Sequence, residues 1–289
     1  MENKSKAVLY MLLSCLSFSF MNVMIKVSGD IPMFQRIFFM NGASLIFAYI
    51  IARKNKRNLF GHKESRKYLF TRALFGYLAL ITNFYSISKL LLADSSILNK
   101  LSPFFVIIFA FIFLKEKLSK AQIPILLLVF LGALLVIKPQ FNLDALPAFS
   151  GVLSAIFSGA AYTLLRFLGD KEDFSTILFY FSLVSMIGTL PIMIMKFKVP
   201  SYIQVIMLIA MGLFWVGGQS YMTLAYKFAP AGEISIYSYA TIIFSTILGF
   251  IVLKEYPDIL SFMGGVLIIA AGGMNFYYGK RQIKIQENK

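Results

Sequence analysis

Runs of about twenty predominantly apolar residues recur along almost the whole chain from Ala7 onward, separated by short charged or polar clusters, and this leaves one way to fold: helices that cross a bilayer. A backbone inside hydrocarbon must satisfy its own hydrogen bonds, so spanning segments are helices or closed barrels. The runs lack the period-two alternation of barrel strands. The pattern predicts an all-α integral membrane protein with ten spans, near 7–26, 33–52, 68–88, 95–114, 121–137, 148–167, 176–195, 201–224, 234–253 and 259–278. Lys4 and Lys6 precede the first run as they would a signal peptide, but the run is too long for an h-region and lacks a small-residue cleavage site, so it is expected to remain as a span.

Composition agrees: 58% of residues are apolar and only 14% charged, where soluble domains carry about a quarter charged residues. A formal charge of +15 would point to nucleic acid in a soluble protein. Here the lysines and arginines gather in alternate loops, densest in RKNKR and HKESRK between the second and third spans. The positive-inside rule then places both termini in the cytoplasm of a cell-membrane protein, with lipids rather than nucleic acid as its surroundings. Cys15 is the only cysteine, so neither an intramolecular disulfide nor a thiolate metal site is available.

Sliding the chain over itself by 139 residues aligns Asp94 with Glu233, Ile97 with Ile236, Phe105 with Phe244 and Leu114-Lys115-Glu116 with Leu253-Lys254-Glu255. A second register sets Ser14 against Ser158 and Phe18 against Tyr162. The chain therefore reads as two five-helix repeats, residues 1–140 and 141–289. Because five is odd, the second enters the membrane upside down, an architecture that suits alternating access to a central site.

Charges inside a bilayer are costly unless they face a cavity or a partner. Lys100 lies within the fourth span beside Asn99 and before Ser102-Pro103, while Tyr239 holds the equivalent place in the second half. It is either an interfacial, snorkelling lysine or one that faces an anion. Arg36 and Arg72 lie close enough to span ends to reach headgroups. Asp94 and Glu233 begin repeat-related helices, where a carboxylate serves as a helix cap or as a gating group. No carboxylate relay lies deeper in the spans.

The pattern LLLADSSILNKLSPFFVIIFAFIFLKEKLS, its counterpart APAGEISIYSYATIIFSTILGFIVLKEYPD and the following GGVLIIAAGG resemble the EamA branch of the drug/metabolite transporter superfamily. The resemblance covers nearly the whole chain. It implies ten helices with cytoplasmic termini and a central cavity lined by spans 1, 3, 4, 6, 8 and 9, with spans 5 and 10 peripheral. Polar and aromatic residues on those spans are then cavity candidates: Ser19, Asn22, Asn83, Tyr85, Asn99, Lys100, Tyr162, Trp215, Gln219, Tyr221, Tyr237 and Tyr239. Each is also able to serve only helix packing. Pro103, Gly217 and Gly218 are hinge candidates; since Ile242 stands where the first half has Pro103, a one-sided kink is expected.

Aromatic walls with a few amides suit a mid-sized organic solute. The function expected is secondary transport of small organic metabolites, export of amino-acid-like compounds foremost, without a cofactor. The resemblance leaves open an importer or exchanger of nucleotide-like metabolites such as S-adenosylmethionine. A non-transporting subunit or lipid scramblase is the reading from another class. An enzyme would need paired acids, a Ser-His pair or metal ligands near the midplane, and an ATP-driven pump a Walker loop; the sequence offers none of these.

Overall fold

The computed structural model describes residues 2–113, 122–137, 145–168, 171–228 and 234–287. Among these residues there is no strand. The helices are α1 (Glu2–Val27), α2 (Met33–Lys54), α3 (Arg66–Lys89), α4 (Leu92–Asn99), α5 (Ser102–Phe113), α6 (Gln122–Ile137), α7 (Leu146–Leu168), α8 (Phe174–Met195), α9 (Tyr202–Phe228), α10 (Ala240–Leu248) and α11 (Ile259–Glu287). A 3-10 turn, Ser235–Tyr239, leads into α10, and a π turn, Gly249–Leu253, leaves it. Each of the ten apolar runs falls on one helical passage, the fourth on α4 with α5 and the ninth on α10 with its flanking turns. Seven of the passages are long and apolar enough to cross a membrane by length and composition. α3 is long enough, 24 residues, but Arg72, Thr82 and Asn83 interrupt its apolar character.

The two halves of the chain interdigitate. α1 packs on α9, α3 on α7, α2 on α8, α6 on α11, and α4 on α10; α5 lies against α7 as α10 lies against α1. One apolar cluster joins Met21, Ile37, Phe84, Phe181 and Met211 of α1, α2, α3, α8 and α9. A second joins Leu98, Phe104, Ile125, Tyr239 and Ile268 on α4 to α6, the 3-10 turn and α11.

Between hydrocarbon-soaked helices there is little hydrophobic drive, so close backbone approach does the work. The α6–α11 contact shows it: a Cβ on Gly264 would stand 2.6 Å from the Gly132 carbonyl oxygen, and one on Gly132 would stand 3.0 Å from the Gly264 carbonyl. Neither backbone has room to yield without parting the helices. Gly264→Leu is therefore expected to lower stability by at least about 3 kcal/mol, the upper range of overpacking costs. Urea or thermal unfolding of the purified variant in detergent checks this, with Phe262→Leu on the exposed side of α11 as the neutral control.

Ties at the two ends of the bundle define its faces. At one end Gln35 exchanges two hydrogen bonds with Lys198, donating to its carbonyl at 2.9 Å and accepting its N–H at 3.1 Å. Arg36 donates to the carbonyls of Ile25 and Gly29 at 2.7 and 2.6 Å, closing the C-terminus of α1, where Gly29 adopts φ 70°. This is the ordinary way a cation finishes a helix, so Arg36 reaches backbone rather than headgroups. Lys198 also pairs with Asp30, and this hydrogen bond, with a second from Gln204, holds the Asp30 carboxyl below the usual carboxylate range. At the other end Glu172 is buried and accepts the His62 backbone N–H at 2.9 Å, Thr176 donates to the Asn58 carbonyl at 2.8 Å, and Asp173 caps α8 through the Ser175 N–H. These bonds dock the basic 55–65 loop on the start of α8.

Candidate functional site

The fourth and ninth passages both change helical form at the same register. α4 stops at Asn99, Lys100 and Leu101 form a turn, and α5 starts at Ser102 with Pro103 in its first turn. In the second half the 3-10 turn gives way to α10 between Tyr239 and Ala240, 139 residues further on. The irregularity is thus present in both halves, not in the proline-bearing one alone. Proline adds severity: its missing N–H suits the first turn of a new helix and leaves α4 and α5 as separate pieces.

The second break meets α1. The Cys15 thiol lies 3.6 and 3.5 Å from the carbonyl oxygens of Tyr237 and Ser238, donating into the 3-10 turn. Lys100 lies within electrostatic reach of the same thiol. One turn further along α1, Ser19 is fully buried and bonds Thr241 and Ser245 of α10. Discontinuous helices meeting mid-bundle are the usual setting of substrate sites in carriers, because the break frees backbone groups that a cavity must satisfy.

The sequence-expected residues separate into two groups here. Ser19 serves the α1–α10 contact, Asn83 accepts a hydrogen bond from Asn99 at 3.3 Å across α3 and α4, and Tyr239 packs its ring over Gly272 of α11. Tyr221 stacks on Tyr10, whose other neighbour is Phe228. Tyr85 is half-buried on α3 and Tyr237 is exposed at the 3-10 turn. Asn22, Lys100, Gln219 and the Trp215 indole have no side-chain hydrogen-bond partner among the described residues, although Asn22 is 8% exposed and the Trp215 Nε1 is buried. Buried polar groups are rarely left so. α9 runs unbroken through Gly217 and Gly218, and the Phe18 ring lies against Gly218. Asp94 is buried in the first turn of α4, but the carboxylate accepting the Leu92 N–H at the start of that helix belongs to Glu255, at 2.6 Å. Glu233 lies outside the described residues.

The contacts of Glu255 and Arg72 carry no sequence signal of their own. Glu255 also pairs with Lys26 at the end of α1, joining three elements at one face. Arg72 extends over the Phe181 ring, 5.2 Å from its centroid, and Phe181 in turn lies 6.0 Å from Trp215, which meets Phe18 at 5.6 Å. Among the described residues no group of His, Cys, Asp and Glu is arranged to hold a metal.

Comparison with known proteins agrees with this architecture. The pseudopaline exporter CntI of Pseudomonas aeruginosa is 34% identical over 267 residues, 91% of this chain and 93% of that one. An uncharacterized transporter of Helicobacter pylori is 27% identical over 90% of this chain and 91% of its own, and solute carrier family 35 member G1 of Homo sapiens 26% identical over 93% and 80%. A solved crystal structure at 16% identity superposes with a TM-score of 0.69, covering 96% of this chain and 99% of its own, a likeness of fold alone. The EamA-like transporter family matches residues 5–138 and again 146–276. With both halves matched, the chain belongs to the EamA-like transporter family, as a multi-pass membrane transporter of the drug/metabolite transporter superfamily and not an enzyme.

Proposed function

We propose that the protein exports small amino-acid-like metabolites across the cell membrane by alternating access of two inverted five-helix halves, residues 1–140 and 141–289, with both termini cytoplasmic. The observation that carries this reading is the pair of helix breaks at the same register of the two halves, at Lys100–Leu101 and at Tyr239–Ala240, the second against the middle of α1 and the first placing Lys100 within electrostatic reach of it. Exchanging the halves turns the α1–α9 contact into α7–α3, and α5–α7 into α10–α1, while α2–α8 and α6–α11 map onto themselves. Inversion is supported by the Glu255 cap: the end of the second half's ninth passage meets the start of the first half's fourth. Export is supported by CntI, a named exporter that is similar along nearly its whole length.

Comparing metabolites in cells and medium, with and without expression, tests both cargo and direction. Loss of a compound from cells with gain in the medium supports export; accumulation inside would make the protein an importer. No substrate-dependent flux in proteoliposomes of the purified chain would leave a subunit or scramblase. Topology has its own test. In a Cys15→Ser background, a cysteine at Phe60 is expected to react with a membrane-impermeant maleimide only after lysis, and one at Val199 in intact cells. Equal labelling of both from outside would end the inverted arrangement.

A further inference from the structure

Position along α3 alone predicts that Arg72 reaches lipid headgroups, since its Cα is only about 9 Å from the start of the helix. The structure turns its side chain inward instead. Nε and Nη1 are completely buried with no hydrogen-bond acceptor among the described residues, and no carboxylate there pairs with the guanidinium. The group lies over the Phe181 ring of α8, and the Tyr162 phenol of α7 lies within its electrostatic reach. Trp215, also against Phe181, has its own buried donor without an acceptor.

The two donors lie on repeat-related helices, α3 and α9, one residue out of register at the offset that sets Phe18 over Tyr162. Phe18 meets Trp215 between α1 and α9, and Tyr162 lies within electrostatic reach of Arg72 between α7 and α3, the same helix pair after exchange of the halves. Where the second half presents an indole, the first presents a cation. An aromatic shelf of Phe18, Trp215 and Phe181 connects them, and the Arg72–Trp215 separation cannot exceed the two ring distances along it, about 11 Å.

Buried donors without acceptors are costly in a folded protein and call for a partner. The partner that fits a guanidinium fixed over an aromatic face is an acceptor-only planar anion, since arginine's fork matches carboxylate geometry and needs no proton exchange. We propose that Arg72 binds the carboxylate of the transported solute, with Trp215 donating to a second acceptor on it and the shelf covering its apolar part. The site therefore takes organic acids with a second polar group within about 11 Å of the carboxylate. This inference rests on the transporter reading for its cargo, but its physical core, an anion-attracting cation near Trp215, is measurable without transport.

Trp215 is the only tryptophan in the chain, so its fluorescence reports this place alone. The full-length protein in a neutral detergent is titrated with iodide, an anionic quencher, and with acrylamide, a neutral one. A unit charge at the bounded distance, seen through water, enriches iodide up to about twofold, so the titration is run at an ionic strength of about 0.01 M where screening is weak. Arg72→Met is expected to lower the iodide quenching constant about twofold with the acrylamide constant unchanged. Arg72→Lys should keep most of the iodide effect, and Arg66→Met, in the loop-side first turn of α3, should keep all of it. In the wild type phenylacetate should protect against iodide and phenylacetamide should not. Equal iodide constants in wild type and Arg72→Met, or a wild-type indole reached by neither quencher, would overturn the site. If Arg72→Met does not fold, the wild-type contrast between phenylacetate and phenylacetamide decides alone. Absent metabolite flux with an intact iodide effect would strike the transporter reading and leave the anion site standing.

Discussion

Lys100→Met is expected to lower transport of carboxylate-bearing solutes at least tenfold while sparing their neutral amides. The ammonium sits at the break between α4 and α5, within electrostatic reach of Cys15 on α1, and has no acidic partner or side-chain hydrogen bond among the described residues. Coulomb attraction to a carboxylate at 4 Å is worth about 4 kcal/mol at an effective dielectric of 20. Even if water removes half of that, more than a factor of ten remains, at about 1.4 kcal/mol per tenfold. A competing account needs no substrate: Lys100 is the C-cap of α4, and a cation there gains about 0.3–1 kcal/mol from the helix dipole. The two accounts differ in what the mutant loses. A dipole role costs folded yield and leaves the acid-to-amide ratio of transport unchanged. A substrate role changes the ratio. Uptake of paired acid and amide solutes into proteoliposomes, normalised to inserted protein, is the measurement, and an unchanged ratio assigns Lys100 to the helix end.

Lys100 also shows how far the sequence reaches. The ten passages are legible because bilayer thickness fixes span length, and each expected run meets a helical passage. The repeat is legible because Leu-Lys-Glu ends two spans at the same offset as Asp94 and Glu233. What stays illegible is rotation about each helix axis. Depth alone places Arg72 near headgroups, but its direction toward Phe181 depends on how α3 meets α8. Ser19 and Tyr239 lie on cavity-expected spans and turn toward α10 and α11 instead. Nor does spacing reveal that Glu255 meets Lys26 and Leu92, residues far away in sequence; an ion pair across the halves leaves no local pattern. The available signal was the repeat itself. Setting Phe18 over Tyr162 puts Trp215 over Thr71, so the register brings the Arg72 and Trp215 segments together one residue out of step, without pairing the arginine with the indole.

Glu255→Ala is expected to destabilise the protein by about 3–5 kcal/mol, the cost of leaving a buried charge without its partner. The Glu255 and Lys26 side chains are 18% and 12% exposed, so solvent offers little compensation. Glu255 also accepts the Leu92 N–H at 2.6 Å, one of the unsatisfied donors at the start of α4, where the helix dipole favours a negative charge. Its approach is set by Lys254, whose left-handed φ of 54° turns the chain after the π turn. The cap distinguishes this pair from a simple salt bridge. Exchanging the charges, Lys26→Glu with Glu255→Lys, preserves the attraction but places a cation at the N-terminus of α4, so it should fail to restore stability. Lys26→Met with Glu255→Gln removes both charges and keeps an acceptor for Leu92, so it should recover most of the loss. Thermal unfolding in detergent separates the cases: at about 2–4 °C per kcal/mol for a chain of this size, Glu255→Ala should melt on the order of 10 °C lower. The neutral pair should also loosen this face, because opening it requires α1 to part from the end of α10. Faster maleimide labelling of a cysteine at Ser28, buried in the wild type, is the sign of that in a Cys15→Ser background. Full rescue by the charge exchange would reduce the arrangement to an ordinary ion pair and remove the α4 cap from the account.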